Sequence, residues 1–134
     1  MAQATRFLRK KLLDLANGKA AWTNTAVYFG VSQSDPTVDG LLTGEPSGAG
    51  YARIALTANM SLTDNDGKAS NTTAMAFATP SGAWGTGAMA FWFTADAASA
   101  GNVLLFGPLP SPFIVNSGDP LPIPVGNIAF SLGV

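Results

Sequence analysis

The chain contains no cysteine and no histidine. These absences exclude thiol and imidazole nucleophiles, the Ser-His-Asp triad, disulfide cross-links, and zinc or haem sites built on those ligands. Charge is scarce as well, with 11% of 134 residues being Asp, Glu, Lys or Arg, against about 25% in an average soluble domain. No run approaches the ~18 apolar residues of a membrane-spanning helix. The basic start lacks the apolar stretch of a secretory signal, since Leu12, Leu13 and Leu15 are few and Asp14 interrupts them. The expectations are one domain, synthesis in the cytosol, no membrane and no cofactor. What the chain does have is apolar content, 47% of residues, with 15 Gly and 9 Pro. That content with a net charge of −1 is the opposite of a disordered composition. A small soluble monomer ordinarily carries more surface charge, so the surface asks for covering partners.

The existing charge is split along the chain. Arg6, Arg9, Lys10, Lys11 and Lys19 against Asp14 sum to +4 over residues 1–19, and two bases against seven acids sum to −5 over the rest. At 100° per residue Leu8, Leu12, Leu15 and Ala16 share one helical face, with Phe7 and Leu13 at its edges and Arg6, Lys10 and Asp14 opposite. Asn17-Gly18 is the stop signal, because both residues accept the left-handed conformation. Residues 1–19 therefore read as a basic amphipathic helix or arm ahead of a β domain, 20–134. Such a helix either packs on its own domain or brackets a neighbouring subunit, with Arg6, Arg9, Lys10, Lys11 and Lys19 as candidate partner-binding residues. Direct nucleic-acid binding is not expected, given an isoelectric point near 5.0 and no aromatic interleaved with the bases beyond Phe7.

Beyond Gly18 the pattern is that of strands. Residues 25–32, 51–62, 72–79, 89–94, 103–106, 112–115 and 128–132 are β-rich segments separated by turn signals every 8–15 residues. Ser34 to Gly50 is a long loop dense in Pro, Gly, Asp and Ser, and Asp64-Asn65-Asp66-Gly67 is a hairpin turn. Ala90-Phe91-Trp92-Phe93 predicts a core strand covered on both faces. The prolines at 108, 110, 112, 120, 122 and 124 cannot donate to a ladder, so their segments are edge strands or extended connectors. The fold class is all-β, a jelly-roll-like β-sandwich with one N-terminal α-helix.

Candidate chemistry is sparse. Asp35, Asp39, Glu45, Asp66 and Asp119 each precede Pro or Gly, the places where acids cap turns, and nothing sets two carboxylates as a glycosidase pair. Asp64 opens half of a calcium loop, but loop position 12 is Met75, where a bidentate Glu is needed. Gly85-Thr86-Gly87-Ala88-Met89-Ala90 fits a dinucleotide fingerprint formally, yet it leads into a strand rather than a helix. The sequon matches at Asn59 and Asn71 carry no weight without a secretory signal. Arg53, isolated after Tyr51, is expected to anchor the 34–50 loop through Glu45 or carbonyls. Trp22, Tyr28, Phe29, Trp84, Trp92, Phe106 and Phe113 exceed what one small sandwich hides easily, which points to homo-oligomer contacts. The reading is non-enzymatic.

The order of certain segments resembles a family of small phage virion proteins, described as tail fibre proteins or capsid decoration proteins. The segments are Leu12-Leu13-Asp14, Ala26-Val27-Tyr28-Phe29-Gly30-Val31, Asp35-Pro36-Thr37, Glu45-Pro46-Ser47-Gly48, Gly50-Tyr51-Ala52-Arg53, Ser81-Gly82-Ala83-Trp84-Gly85, Gly101-Asn102-Val103-Leu104-Leu105 and Val115-Asn116-Ser117-Gly118-Asp119. The resemblance implies a β-sandwich present in many copies in a phage particle, without catalytic residues. The aromatic strand 90–93 and the segment Leu121-Pro122-Ile123-Pro124 depart from the family pattern. The expectation placed first is a capsid cement or decoration protein, a trimer seated on the major capsid protein and stabilising the head by binding only the assembled shell. A tail or fibre protein for host attachment comes second. A carbohydrate-binding module that stacks sugars on exposed Trp or Tyr is the reading from another class.

Overall fold

The structure is a computed structural model and describes residues 2–131. A two-residue strand, β1 (Gln3–Ala4), leads into the helix α1 (Arg6–Ala16). Thr5 between them is the N-cap, its hydroxyl accepting from Leu8 N at 3.3 Å while donating to the Val103 carbonyl at 2.6 Å. Eight strands follow: β2 (Tyr28–Ser32), β3 (Ile54–Ala55), β4 (Lys68–Ser70), β5 (Met75–Ala76), β6 (Met89–Ala95), β7 (Val103–Phe113), β8 (Pro122–Ile123) and β9 (Ala129–Ser131). The fold is mainly β with one N-terminal helix.

Five strands form an antiparallel sheet in the order β1-β7-β6-β2-β3. Two ribbons, β4 with β9 and β5 with β8, complete the architecture. In the register of β2 on β6, Val31 pairs with Trp92 and Gly30 with Phe93. Cross-strand partners share a face and successive residues alternate. One face therefore carries Phe29, Val31 and Trp92. The ribbons supply Met75, Ile123, Ile128 and Phe130 against it, with Phe77 and Trp84, and together they make the larger core. The opposite face carries Phe93, Ala95, Val103 and Phe106, and is covered by Val38 and Leu42 from the long loop. Strand β6 is thus covered on both sides, which is why it tolerates so aromatic a run.

Several segments are shorter or longer than their patterns suggest. The strand expected over 51–62 is only Ile54–Ala55, because the chain then makes a 3-10 turn at Thr57–Asn59. That over 72–79 contracts to Met75–Ala76, paired with Pro122–Ile123. Those over 103–106 and 112–115 merge into β7. Its three prolines leave their mark there. Phe91 pairs with Pro108 and Met89 with Phe113, so two steps along β6 oppose five along β7. Residues without an N–H cannot hold the ladder, and the strand bulges. The helix also departs from its wheel. Leu8 is buried, but Leu13 and Leu15 are exposed, since α1 rests on the sheet through its first turns and runs off beyond them. The last strand, expected to reach Leu132, is described to Ser131, and Leu132 lies outside the described residues.

Candidate interaction surfaces

The polar centre of the domain lies under the loop 34–50. Arg53 donates from Nε to Glu45 Oε1 at 2.7 Å and from NH2 to Glu45 Oε2 at 2.8 Å, a bidentate pair. Its NH1 donates to the carbonyls of Ala97 (2.6 Å) and Ala100 (2.9 Å). Tyr51 adds its hydroxyl proton to Glu45 Oε1 at 2.8 Å. The Arg53 guanidinium lies over the Phe93 ring, 5.1 Å from its centroid. The Arg53 side chain is 1% exposed and that of Glu45 15%. The opposite sheet residue has to be glycine: a Cβ on Gly30 would stand 2.5 Å from Phe93 Cζ and 2.6 Å from the Tyr51 hydroxyl. The structure thus brings Glu45, Tyr51 and Arg53 together and ties two loops, 34–50 and 96–102, to strand-bearing backbone. Among the described residues no buried side-chain polar atom lacks a partner, so these groups are committed to one another.

Burial, followed by the charge of Glu45 and its hydrogen bond, pushes the Tyr51 hydroxyl well above the ordinary phenol range. Burial alone would lower Arg53, but the hydrogen bonds and charge of Glu45 more than offset it. The stability that the protonated Tyr51 contributes is therefore complete below the unfolded phenol value of about 10. It declines as pH rises above that value, because the unfolded chain ionises first. Urea unfolding between pH 8 and 11 is expected to show this alkaline loss in the parent and a smaller loss in Tyr51→Phe. Equal slopes would contradict the assignment.

The basic residues of the N-terminus are arranged less uniformly than their sequence suggests. Arg6 is ion-paired with Asp39 on the surface. Lys10 pairs with Asp14 one helical turn on, at 2.5 Å. Lys11 lies 5.5 Å from the centre of the Phe7 ring. Arg9 and Lys19 are exposed and have no acidic partner among the described residues. The backbone of Arg6 donates to the Val38 carbonyl (2.8 Å) and that of Thr5 to Leu104 (3.0 Å), so the start of the helix is stapled to its own domain while its outer side faces solvent.

The tryptophans are all engaged. Trp84 is buried, Trp22 meets Phe7 edge-on at 6.5 Å, and Trp92 sits between Phe29 (6.3 Å) and Phe130 (5.4 Å). Trp22 and Trp92 are half-buried, each packed against another ring. The Asp64–Gly67 segment is a turn, with Asp64 Oδ1 accepting from the backbone of Asp66 and Lys68, both at 2.9 Å. Asp64 thereby closes the hairpin turn through the backbone. An apolar groove of about 370 Å³ runs between the bulged part of β7 and the β8 ribbon, lined by Phe29, Phe77, Leu109, Phe113, Ile123 and Ile128. Sequence reasoning missed it, because its walls come from four distant segments joined only by the fold. Among the described residues no helix is long and apolar enough to cross a membrane.

These features define a class: a small mainly-β domain whose polar groups hold loops in place and whose basic and apolar surface faces outward. Over residues 3–131 the chain matches the family described as podophage GP4 fiber I protein gp80, and it belongs to that family. It is a structural protein of the phage virion. No curated protein matches the chain.

Proposed function

We propose that the chain is a non-enzymatic building block of the fibre or tail apparatus, working as a homo-oligomer. The observation that carries this reading is the family match over nearly the whole chain, to a protein described as a fibre component. The surface is consistent with it. Leu13, Leu15, Leu41, Leu62, Ile114 and Val125 are all exposed on a domain with little charge, a surface better suited to packing among copies than to solitary life in water. Capsid cement, the expectation placed first from sequence, makes the same demands on the surface but differs in stoichiometry and location. A cement protein would approach one copy per major capsid protein and would lower the temperature of head failure when missing.

The test is quantitative gel analysis of purified particles together with gold labelling of a C-terminally tagged chain. Few copies, with label at the tail vertex, are the expected result. A copy number close to that of the shell protein, with label spread over the head, would replace the fibre reading by the cement reading.

A further inference from the structure

Among the described residues, α1 is hydrogen-bonded to the rest of the domain only at its start. Its N-cap Thr5 is fixed to β7, the N–H donating to the Leu104 carbonyl (3.0 Å) and the hydroxyl to that of Val103 (2.6 Å). Arg6, one residue on, is fixed to a different support. Its N–H donates to the Val38 carbonyl at 2.8 Å and its guanidinium pairs with Asp39, both in the loop 34–50. An N–H of the first helical turn finds no acceptor inside the helix, so the loop supplies one. Beyond that point α1 buries only Leu8, while Leu13 and Leu15 are exposed. The sheet thus gives the helix a pivot at Thr5, and the loop provides its second point of attachment.

That loop is a strap stiffened by its own turns. Thr37 N–H donates to Asp35 Oδ1 (2.8 Å), Leu41 N–H to the Pro36 carbonyl (2.7 Å) and Glu45 N–H to that of Leu42 (3.2 Å). Val38 and Leu42 lie over Phe93, Ala95, Val103 and Phe106. Gly40, at a φ of 70°, comes so close that a Cβ there would stand 3.1 Å from Val103 Cβ and 3.6 Å from the Thr5 methyl. The strap therefore carries α1 at Val38 and Asp39 and the buried ion pair at Glu45. A second route runs through packing, because the Arg53 guanidinium lies over the Phe93 ring that Val38 and Leu42 help to cover. We infer that the Arg53–Glu45 pair is a positioning device for α1. It fixes the strap, and the strap fixes the direction in which the helix leaves Thr5 and presents its exposed Arg9. Segments that share their attachments open as one unit, so loosening the pair releases the helix while β7 keeps its pivot. The device belongs to the chain's own architecture and is independent of where in the particle the chain sits.

The absence of cysteine makes the test clean. Spin labels on Leu13→Cys and Ser111→Cys, both exposed and lying on α1 and β7, report the direction of the helix as a distance distribution in the full-length chain. The labelled parent is expected to give one narrow distribution. Glu45→Ala is expected to broaden it and shift its mean. Leu42→Ala, which weakens the strap without touching the ion pair, is expected to do the same. Glu45→Gln keeps an oxygen acceptor for Arg53, so it is expected to fall between parent and alanine variant, and it takes the place of Glu45→Ala should that chain not fold. Met75→Ala empties a core position on the opposite face of the sheet and is expected to retain the parent distribution. Narrow, parent-like distributions in the Glu45 and Leu42 variants overturn the inference, since Thr5 and Leu8 then hold the helix unaided. Equal broadening in Met75→Ala also overturns it, because the helix then follows any loss of stability.

Discussion

Replacing Trp84 with alanine is expected to lower the free energy of unfolding by about 3–5 kcal/mol, the range for emptying a large aromatic core site. Its residue is 1% exposed. The indole meets Tyr51 edge-on at 4.9 Å and Phe77 edge-on at 5.4 Å, so its removal opens a void lined by two rings that cannot both collapse into it. The indole N–H donates to the Ala49 carbonyl at 3.2 Å. Ala49 is held there at a φ of 50° between Gly48 and Gly50, whose φ values are 76° and 78°. Three successive left-handed residues, one of them not glycine, are a costly conformation, maintained by what the carbonyl reaches. Trp84→Phe retains most of the ring volume and loses the donor, so it is expected to cost less, about 1–2 kcal/mol. Urea unfolding followed by far-ultraviolet circular dichroism measures both. An alanine variant within 1 kcal/mol of the parent would show that this enclosure contributes little. Because a small domain has only about 5–15 kcal/mol in total, the expected loss is a large part of its stability.

The same residue shows what could be read in advance. Trp84 follows Ser81-Gly82 and precedes Gly85, so its sequence setting is that of a loop, yet it is among the most buried residues described. Local periodicity reports burial only for residues in regular elements, and Trp84 is buried by a loop that folds inward. The aromatic run 90–93 was legible because continuous apolar character over strand length has one common meaning. The helix was legible in extent, through its periodicity and the Asn-Gly stop, though not in which leucines it buries. That depends on how far α1 extends past the edge of β7. The pairings of β4 with β9 and β5 with β8 join residues about 50–60 positions apart, as in Ala69 with Phe130 and Met75 with Ile123, and their short stretches carry too few residues for a period. Among the candidate site residues, the charge split between helix and domain is a property of composition, whereas the carbonyls that hold Arg53 come from 97–100, over 40 positions away. Only the folded backbone brings them within reach.

Glu45→Ala is expected to destabilise the domain by about 3–5 kcal/mol, because it leaves the Arg53 guanidinium buried with no counter-ion. The asymmetry of this cluster makes the prediction sharper than a count of lost bonds. Glu45 accepts three hydrogen bonds, two from Arg53 and one from Tyr51, and its removal orphans all three donors near the buried Phe93 ring. Removing Arg53 instead leaves a carboxylate with partial access to water and still bonded to Tyr51, but it also frees the carbonyls of Ala97 and Ala100. Ala100 has a φ of 50°, a strained position that the guanidinium helps to hold. The loop 96–102 is therefore expected to exchange amide protons faster in Arg53→Met, whereas Glu45→Ala should first loosen the loop 34–50. A double variant, Glu45→Ala with Arg53→Met, removes both charges together. It is expected to lose less than the two single changes summed, by 1 kcal/mol or more on the scale usual for contacting groups, since no unpaired charge remains. Strict additivity would mean that the two side chains act independently, and would contradict the bidentate geometry. If the cluster serves only to set the loops, Arg53→Lys should recover little, because an ammonium cannot span a carboxylate and two carbonyls as the planar fork does.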